Sequence, residues 1–114
     1  EGIRLNTGSP GEAEARLPQI SLNGQGSIAV AWQEDRGASQ QEGIYLSWST
    51  DFGKTWLNPD IRADDQKSGG VAVKPQLVML RDGAVVIAWE ATRQDRKDIA
   101  VKVLAPSIRE SSAR

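Results

Sequence analysis

The octapeptide STDFGKTW, Ser49 to Trp56, gathers hydroxyls, a carboxylate and an amine (Ser49, Asp51, Lys54 and Thr55 among them) within eight residues. Such a set could activate a hydroxyl for nucleophilic attack if a base of suitable pKa stood beside it. Asp51 has no such company, because the chain contains no His and no second carboxylate sits close by in sequence to move its pKa. A different use accounts for every fixed position. An Asp accepts hydrogen bonds from nearby backbone N–H groups, Gly53 takes positive φ without steric cost, and Ser49 and Thr55 satisfy further local groups. Trp56 then returns a large apolar ring to the body of the protein. The octapeptide reads as a turn.

The composition narrows the chemistry further. With no Cys and no His, the 114 residues offer no thiol nucleophile, no disulfide, no thiolate metal site and no imidazole base. Carboxylates, Lys, hydroxyls and a single tyrosine, Tyr45, remain. Lys and Arg number 14 against 15 Asp and Glu, and the net charge of −1 gives no reason to expect nucleic acid or an anionic membrane as partner. No apolar run approaches the roughly 20 residues needed to span a bilayer. No charged-then-apolar leader opens the chain, which begins at Glu1 rather than Met and so reads as a processed or excised piece. At 39% apolar and 25% charged, one small globular domain is expected.

The elements that position these groups come in duplicate. PQISLNGQGSIAVAWQEDR, from Pro18, aligns without gaps with PQLVMLRDGAVVIAWEATR, from Pro75, at an offset of 57 residues and with six of nineteen positions identical. Downstream, GIYLSW (Gly43 to Trp48) pairs with DIAVKV (Asp98 to Val103) two residues out of phase, so the second copy has a shorter intervening loop. Ile3 and Arg4 recur as Ile61 and Arg62. Within each copy Ile28, Val30 and Trp32 alternate with Ala29 and Ala31, and Val85, Ile87 and Trp89 with Val86 and Ala88. That period of two predicts strands apolar on both faces, which belong in a sheet sandwiched between other layers. NGQG (Asn23 to Gly26) and RDG (Arg81 to Gly83) supply hairpin turns.

The expected fold is therefore all-β, with two four-stranded antiparallel sheets. The first unit runs through strands near Gln19 to Leu22, Ser27 to Gln33, Ile44 to Ser49 and Leu57 to Arg62. Four-stranded units repeated at such a spacing are the signature of propeller blades. Residues 18–62 make one blade and 75–104 a second. Residues 1–6 become the outer strand of a preceding or neighbouring-chain blade, the preceding-blade strand spanning Gly2 to Asn6.

At this point the sequence resembles a family. Ser49, Asp51, Gly53, Thr55 and Trp56 match the Asp-box, or BNR, motif of sialidase-like β-propellers, and AVAWQEDR followed by IYLSWSTDFGKTW is similar to blades of bacterial secreted proteins built from such repeats. The resemblance covers nearly the whole chain and implies a six-bladed propeller, an extracellular or periplasmic location, and an Asp box on the rim away from the ligand face. LAPSIRESSAR, after Val103, lacks the box and leaves the fourth strand of the second blade unsupported.

The same resemblance frames the question of activity. Sialidases of the family hold the substrate carboxylate with three arginines and use a Tyr–Glu nucleophile and an Asp acid/base. RLP, Arg16 to Pro18, is similar to their Arg-Ile-Pro motif, and a guanidinium suits a carboxylate through its planar fork. In the second copy the stretch is VKPQ, with Lys74 and no Arg. Asp35 lies in the loop where the acid/base would stand, without the surrounding pattern, and Tyr45 lies inside a strand. Arg36 and Arg93 occupy matching positions and could pair with acids such as Asp35 or Asp95, or line a ligand-facing loop. Arg16, Asp35, Arg36 and Arg93 are thus candidate ligand contacts, and no catalytic residue is assigned. ADDQKSGG (Ala63 to Gly70) could suit a weak Ca²⁺ site but reads better as a solvated interblade loop, so no cofactor or metal is expected.

The reading that results is a propeller module for recognition of a ligand, a glycan by resemblance, or for scaffolding. The alternative is a fragment of an exo-α-sialidase whose other catalytic residues lie outside this chain. Two blades cannot close a ring that needs about 4 to 8. Self-association, with three copies closing six blades, or missing blades of a parent chain would complete it.

Overall fold

Alternation of period two becomes seven strands in the computed structural model, which describes residues 2–8, 14–36, 42–64 and 70–105. In chain order they are β1 (Ala15–Leu22), β2 (Ile28–Asp35), β3 (Glu42–Ser49), β4 (Ile61–Arg62), β5 (Val71–Met79), β6 (Val85–Arg93) and β7 (Arg96–Leu104). The fold is all-β. One antiparallel sheet has the order β1-β2-β3-β4, the other β5-β6-β7, and no helix occurs among the described residues.

The internal repeat of the sequence is a repeat of hydrogen-bond register. Leu22 faces Ile28 as Met79 faces Val85, and Ile28 faces Ser49 as Val85 faces Leu104. The hairpins agree too: Asn23 N–H donates to Ser27 O at 3.2 Å, and Leu80 N–H to Ala84 O at 2.8 Å. The first strand of each sheet breaks its ladder at the same place, between Arg16 and Gln19 in β1 and between Val73 and Gln76 in β5. The residue before each proline, Leu17 or Lys74, takes a positive φ of 56° or 58°, a strained backbone for a side chain with a Cβ. The bulge takes the Lys74 N–H out of the ladder, and Gln33 Oε1 of the other sheet accepts it at 2.9 Å.

Residue parity decides what each face does. Ala29 and Ala31 of β2 share a face with Ile44, Leu46 and Trp48 of β3, and this face is buried against Leu77, Met79, Val85, Ile87, Trp89 and Leu104 of the second sheet. The alanines let β5 approach closely, while Ile44 and Leu46 fill the space beside them. Each such aliphatic side chain contributes about 1.5–3 kcal/mol by leaving water. A second inter-sheet hydrogen bond runs from Met79 N–H to Ser21 Oγ at 2.8 Å, and Lys102 Nζ reaches Ala63 O at 3.1 Å.

Two expectations need amendment. The fourth strand of the first sheet covers Ile61–Arg62, not the whole of 57–62. Leu57 N–H bonds Trp48 O beyond the ladder, and Pro59 has no N–H to contribute, so regular pairing begins only at Ile61. The second sheet has three strands among the described residues rather than four, and residues 106–114 lie outside them. The turn sequence that leads β3 onward to β4 is not repeated after β7. Residues 2–7, expected to pair in a preceding or neighbouring-chain blade, run in the single chain beside Val30, Trp32 and Trp56 without a strand partner among the described residues.

Candidate functional site

The two ends of the first sheet carry different chemistry. β3 runs between them, its termini separated by roughly 23 Å at 3.3 Å per residue. At one end is the octapeptide. Ser49 Oγ donates to Asp51 Oδ1 at 2.7 Å and accepts Gly53 N–H at 2.9 Å. Asp51 accepts Thr55 N–H at 2.9 Å and Thr55 Oγ1–H at 2.6 Å, one on each carboxylate oxygen. Gly53 sits at φ 85°, where a Cβ would be strained, and its carbonyl receives Trp56 Nε1–H at 3.0 Å. Phe52 N–H ties the loop to Gly26 O of the neighbouring hairpin at 3.0 Å.

The bonds to Asp51 favour its charged carboxylate. Those from the Thr55 hydroxyl and backbone, then from Ser49, hold Asp51 down to about 2, so it is a poor proton donor. A depressed pKa adds stability that is complete above the ordinary value of 3.8 and is lost as pH falls toward about 2. Thermal melting of Asp51→Asn should accordingly show a lower Tm than wild type near neutrality. The gap should narrow as pH falls through that window, and a gap independent of pH would refute the assignment.

The other end gathers the charged groups. Arg36 is held by two buried carboxylates: Nε and Nη2 donate to Glu34 at 3.0 and 2.8 Å, while Nη1 and Nη2 donate to Asp60 at 3.1 and 2.9 Å. Its guanidinium lies 3.8 Å from the centroid of the Tyr45 ring, with Arg62 at 5.8 Å. Trp32 Nε1–H donates to Glu34 Oε1 at 2.7 Å, and Thr7 gives both its N–H and its hydroxyl to Asp60. Burial pulls the Arg36 pKa down, but Asp60 and Glu34 more than offset it, and the net shift is upward. For Asp60, burial pushes upward while Arg36 and Thr7 pull harder, leaving it below the usual carboxylate range. Tyr45 is buried, and burial lifts its phenol pKa against the pull of Arg62 and Arg36. It is not an activated nucleophile.

Of the residues singled out from the sequence, Arg16, Asp35 and Arg36 stand at this same end. Arg16 is half-exposed at the margin of β1, 2.9 Å from Glu14 and 3.9 Å from Glu42. Asp35 Oδ1 accepts Glu14 N–H at 2.7 Å, so Arg16 and Asp35 meet through Glu14. Arg93 ends β6 opposite Arg96, at the corresponding end of the second sheet. Arg36 pairs with Glu34 and Asp60 rather than Asp35, because period two puts residues 34 and 36 on one face and 35 on the other. That parity was open to sequence reasoning; the contribution of Asp60, 24 residues away, was not. Asp64 binds Arg62 and the Ile44 N–H, and Asp65 of the conceivable Ca²⁺ loop lies outside the described residues.

Beside Arg16 is an open hollow of about 260 Å³ whose walls include Arg4, Pro18, Val30 and Trp32. Arg4 donates to Gly8 O at 2.7 Å and Arg16 to Glu14 at 2.9 Å, and a wall that combines arginines with apolar and aromatic side chains suits a carboxylate-bearing ring. No family model matches the sequence, and no curated protein matches it.

Proposed function

We propose that the chain is a pair of adjacent blades of a sialidase-like propeller that acts as a non-catalytic recognition module, taking an acidic glycan in the hollow beside Arg16. The observation that carries the reading is the hollow itself, lined by the half-exposed Arg16, the exposed Arg4, Val30 and Trp32. The octapeptide turn, with its Asp-box pattern, and the repeated strand register support the propeller element. The non-catalytic element follows from how the reactive groups are employed. Tyr45 is buried under Arg36, Asp35 is taken up by the Glu14 backbone, and Asp51 lies at the opposite end.

Titration with sialyllactose, followed by chemical shifts that include the Trp32 indole, should show saturable binding, with neutral lactose binding more weakly. Arg16→Ala is expected to weaken sialyllactose binding about tenfold or more, as loss of a charge-assisted pair would. Equal affinity for both sugars, or an unaffected Arg16→Ala variant, would overturn the assignment. Hydrolysis of a fluorogenic sialoside lost in that variant would instead favour a portion of an exo-α-sialidase.

A further inference from the structure

The outward faces of the two sheets are exposed and apolar, and we infer that they are the two halves of one interface, by which the first sheet of a second copy docks head-to-tail on the second sheet of this chain. The observation is the internal interface itself. Five of the large apolar residues that it buries, Ile44, Leu46, Trp48, Leu77 and Met79, have counterparts in the other repeat that lie open on the surface. On the β3 side Ile44, Leu46 and Trp48 are 0%, 0% and 1% exposed, whereas Ile99, Val101 and Val103, their register equivalents on β7, are 76%, 65% and 60% exposed. On the β5 side Leu77 and Met79 are each 8% exposed, whereas Ile20 and Leu22, their equivalents on β1, are 64% and 58% exposed.

The surface left over is thus the same complementary pair that the chain already joins once within itself. A polar contact repeats as well. Gln33 accepts the N–H freed by the Lys74 bulge; its equivalent Glu90 stands on the outward face, and the equivalent bulge residue is Leu17, with the same positive φ. Ile3 and Arg4, which match Ile61 and Arg62, would then meet the edge of β7 that pairs with no strand among the described residues, as Ile61 and Arg62 meet β3. Because the two halves differ, the contact is heterologous. Copies added this way close into a ring or continue as a filament. This docking does not rest on the glycan reading, but Val30 and Trp32, which floor the hollow, share the outward face of the first sheet with Ile20 and Leu22, so docking would cover the hollow. The mass is therefore measured without sugar, and sugar binding on the monomeric Val101→Asp variant.

The test is the solution mass of the 114-residue chain by sedimentation velocity across micromolar concentrations, with two variants on opposite faces. Wild type should be larger than a monomer. Val101→Asp and Ile20→Asp, both at exposed positions and so expected to keep the wild-type circular dichroism, should each be monomeric, with the dissociation constant raised at least about thirtyfold. Mixed one to one, they should form a dimer and nothing larger, since each variant retains the half that the other lacks. A monomeric wild type would overturn the inference. So would an Ile20→Asp variant that still self-associates, which is the sign of a symmetric contact through the second sheet alone, or a mixture that stays monomeric. Should either variant misfold, Val103→Asp and Leu22→Asp pose the same question.

Discussion

Replacing Arg36 with alanine should destabilise the folded chain by about 3–5 kcal/mol, the range for removing one partner of a buried ion pair. Against a typical total of roughly 5–15 kcal/mol for a domain, that is a large fraction. The size follows from what is left behind. The Glu34 and Asp60 side chains are 0% and 2% exposed, and the single guanidinium between them supplies four hydrogen bonds. Without it, two carboxylates face each other out of reach of water. Arg36→Lys should recover only part of the loss, because one ammonium cannot present a planar fork to two acids and also lie flat on Tyr45. Chemical denaturation measures both.

The pH dependence carries the same signature. The lowered pKa of Asp60 gives stability that is complete above the usual carboxylate value and is lost as pH falls through the lowered one. In Arg36→Ala burial no longer has its main opponent, the pKa should rise, and acid unfolding should begin at higher pH. A variant with wild-type stability and an unchanged acid limb would show that the cluster is solvated rather than buried.

Trp48→Ala should cost a similar amount, about 3–5 kcal/mol, for a different reason: a cavity opens between the sheets. Trp48 is buried opposite Ala29, and its ring belongs to the apolar cluster that joins β2 and β3 to β5 and β6. Because that cluster spans both sheets, the loss should broaden the denaturation transition as the sheets begin to unfold separately. The indole Nε1–H has no hydrogen-bond partner among the described residues. Trp48→Phe removes this orphaned donor together with part of the ring and should lie much closer to wild type. Equal damage from Phe and Ala would mean that ring shape, not burial, sets the energy.

What could be read beforehand was whatever local rules govern. The alternation of Ile28, Val30 and Trp32, the hairpin residues at Asn23 and Asp82, and the self-satisfied bonding of Ser49, Asp51 and Thr55 all involve neighbours a few residues apart. The 57-residue repeat carried the placement of β5 and β6, while the matching bulges before Pro18 and Pro75 emerged only from the strand register. The charged cluster escaped because it is assembled across distance: Thr7, Glu34, Arg36 and Asp60 come from three separate stretches and meet only after β2 and β3 have paired. β4 came out shorter than its apolar pattern suggested because pairing there depends on where Pro59 falls, not on side-chain polarity.

The Gln33–Lys74 bond has one more consequence. Apolar faces attract without direction, and two pleated surfaces of Ala, Val, Ile and Leu could glide past each other by one residue pair at little loss of buried area. Two directional bonds oppose such gliding. Gln33 holds β5 near one end through the Lys74 N–H, and Ser21 holds it near the other through the Met79 N–H. They act as a pair of dowels, setting the phase of one sheet on the next, so that a strained backbone at Lys74 yields alignment rather than added grip.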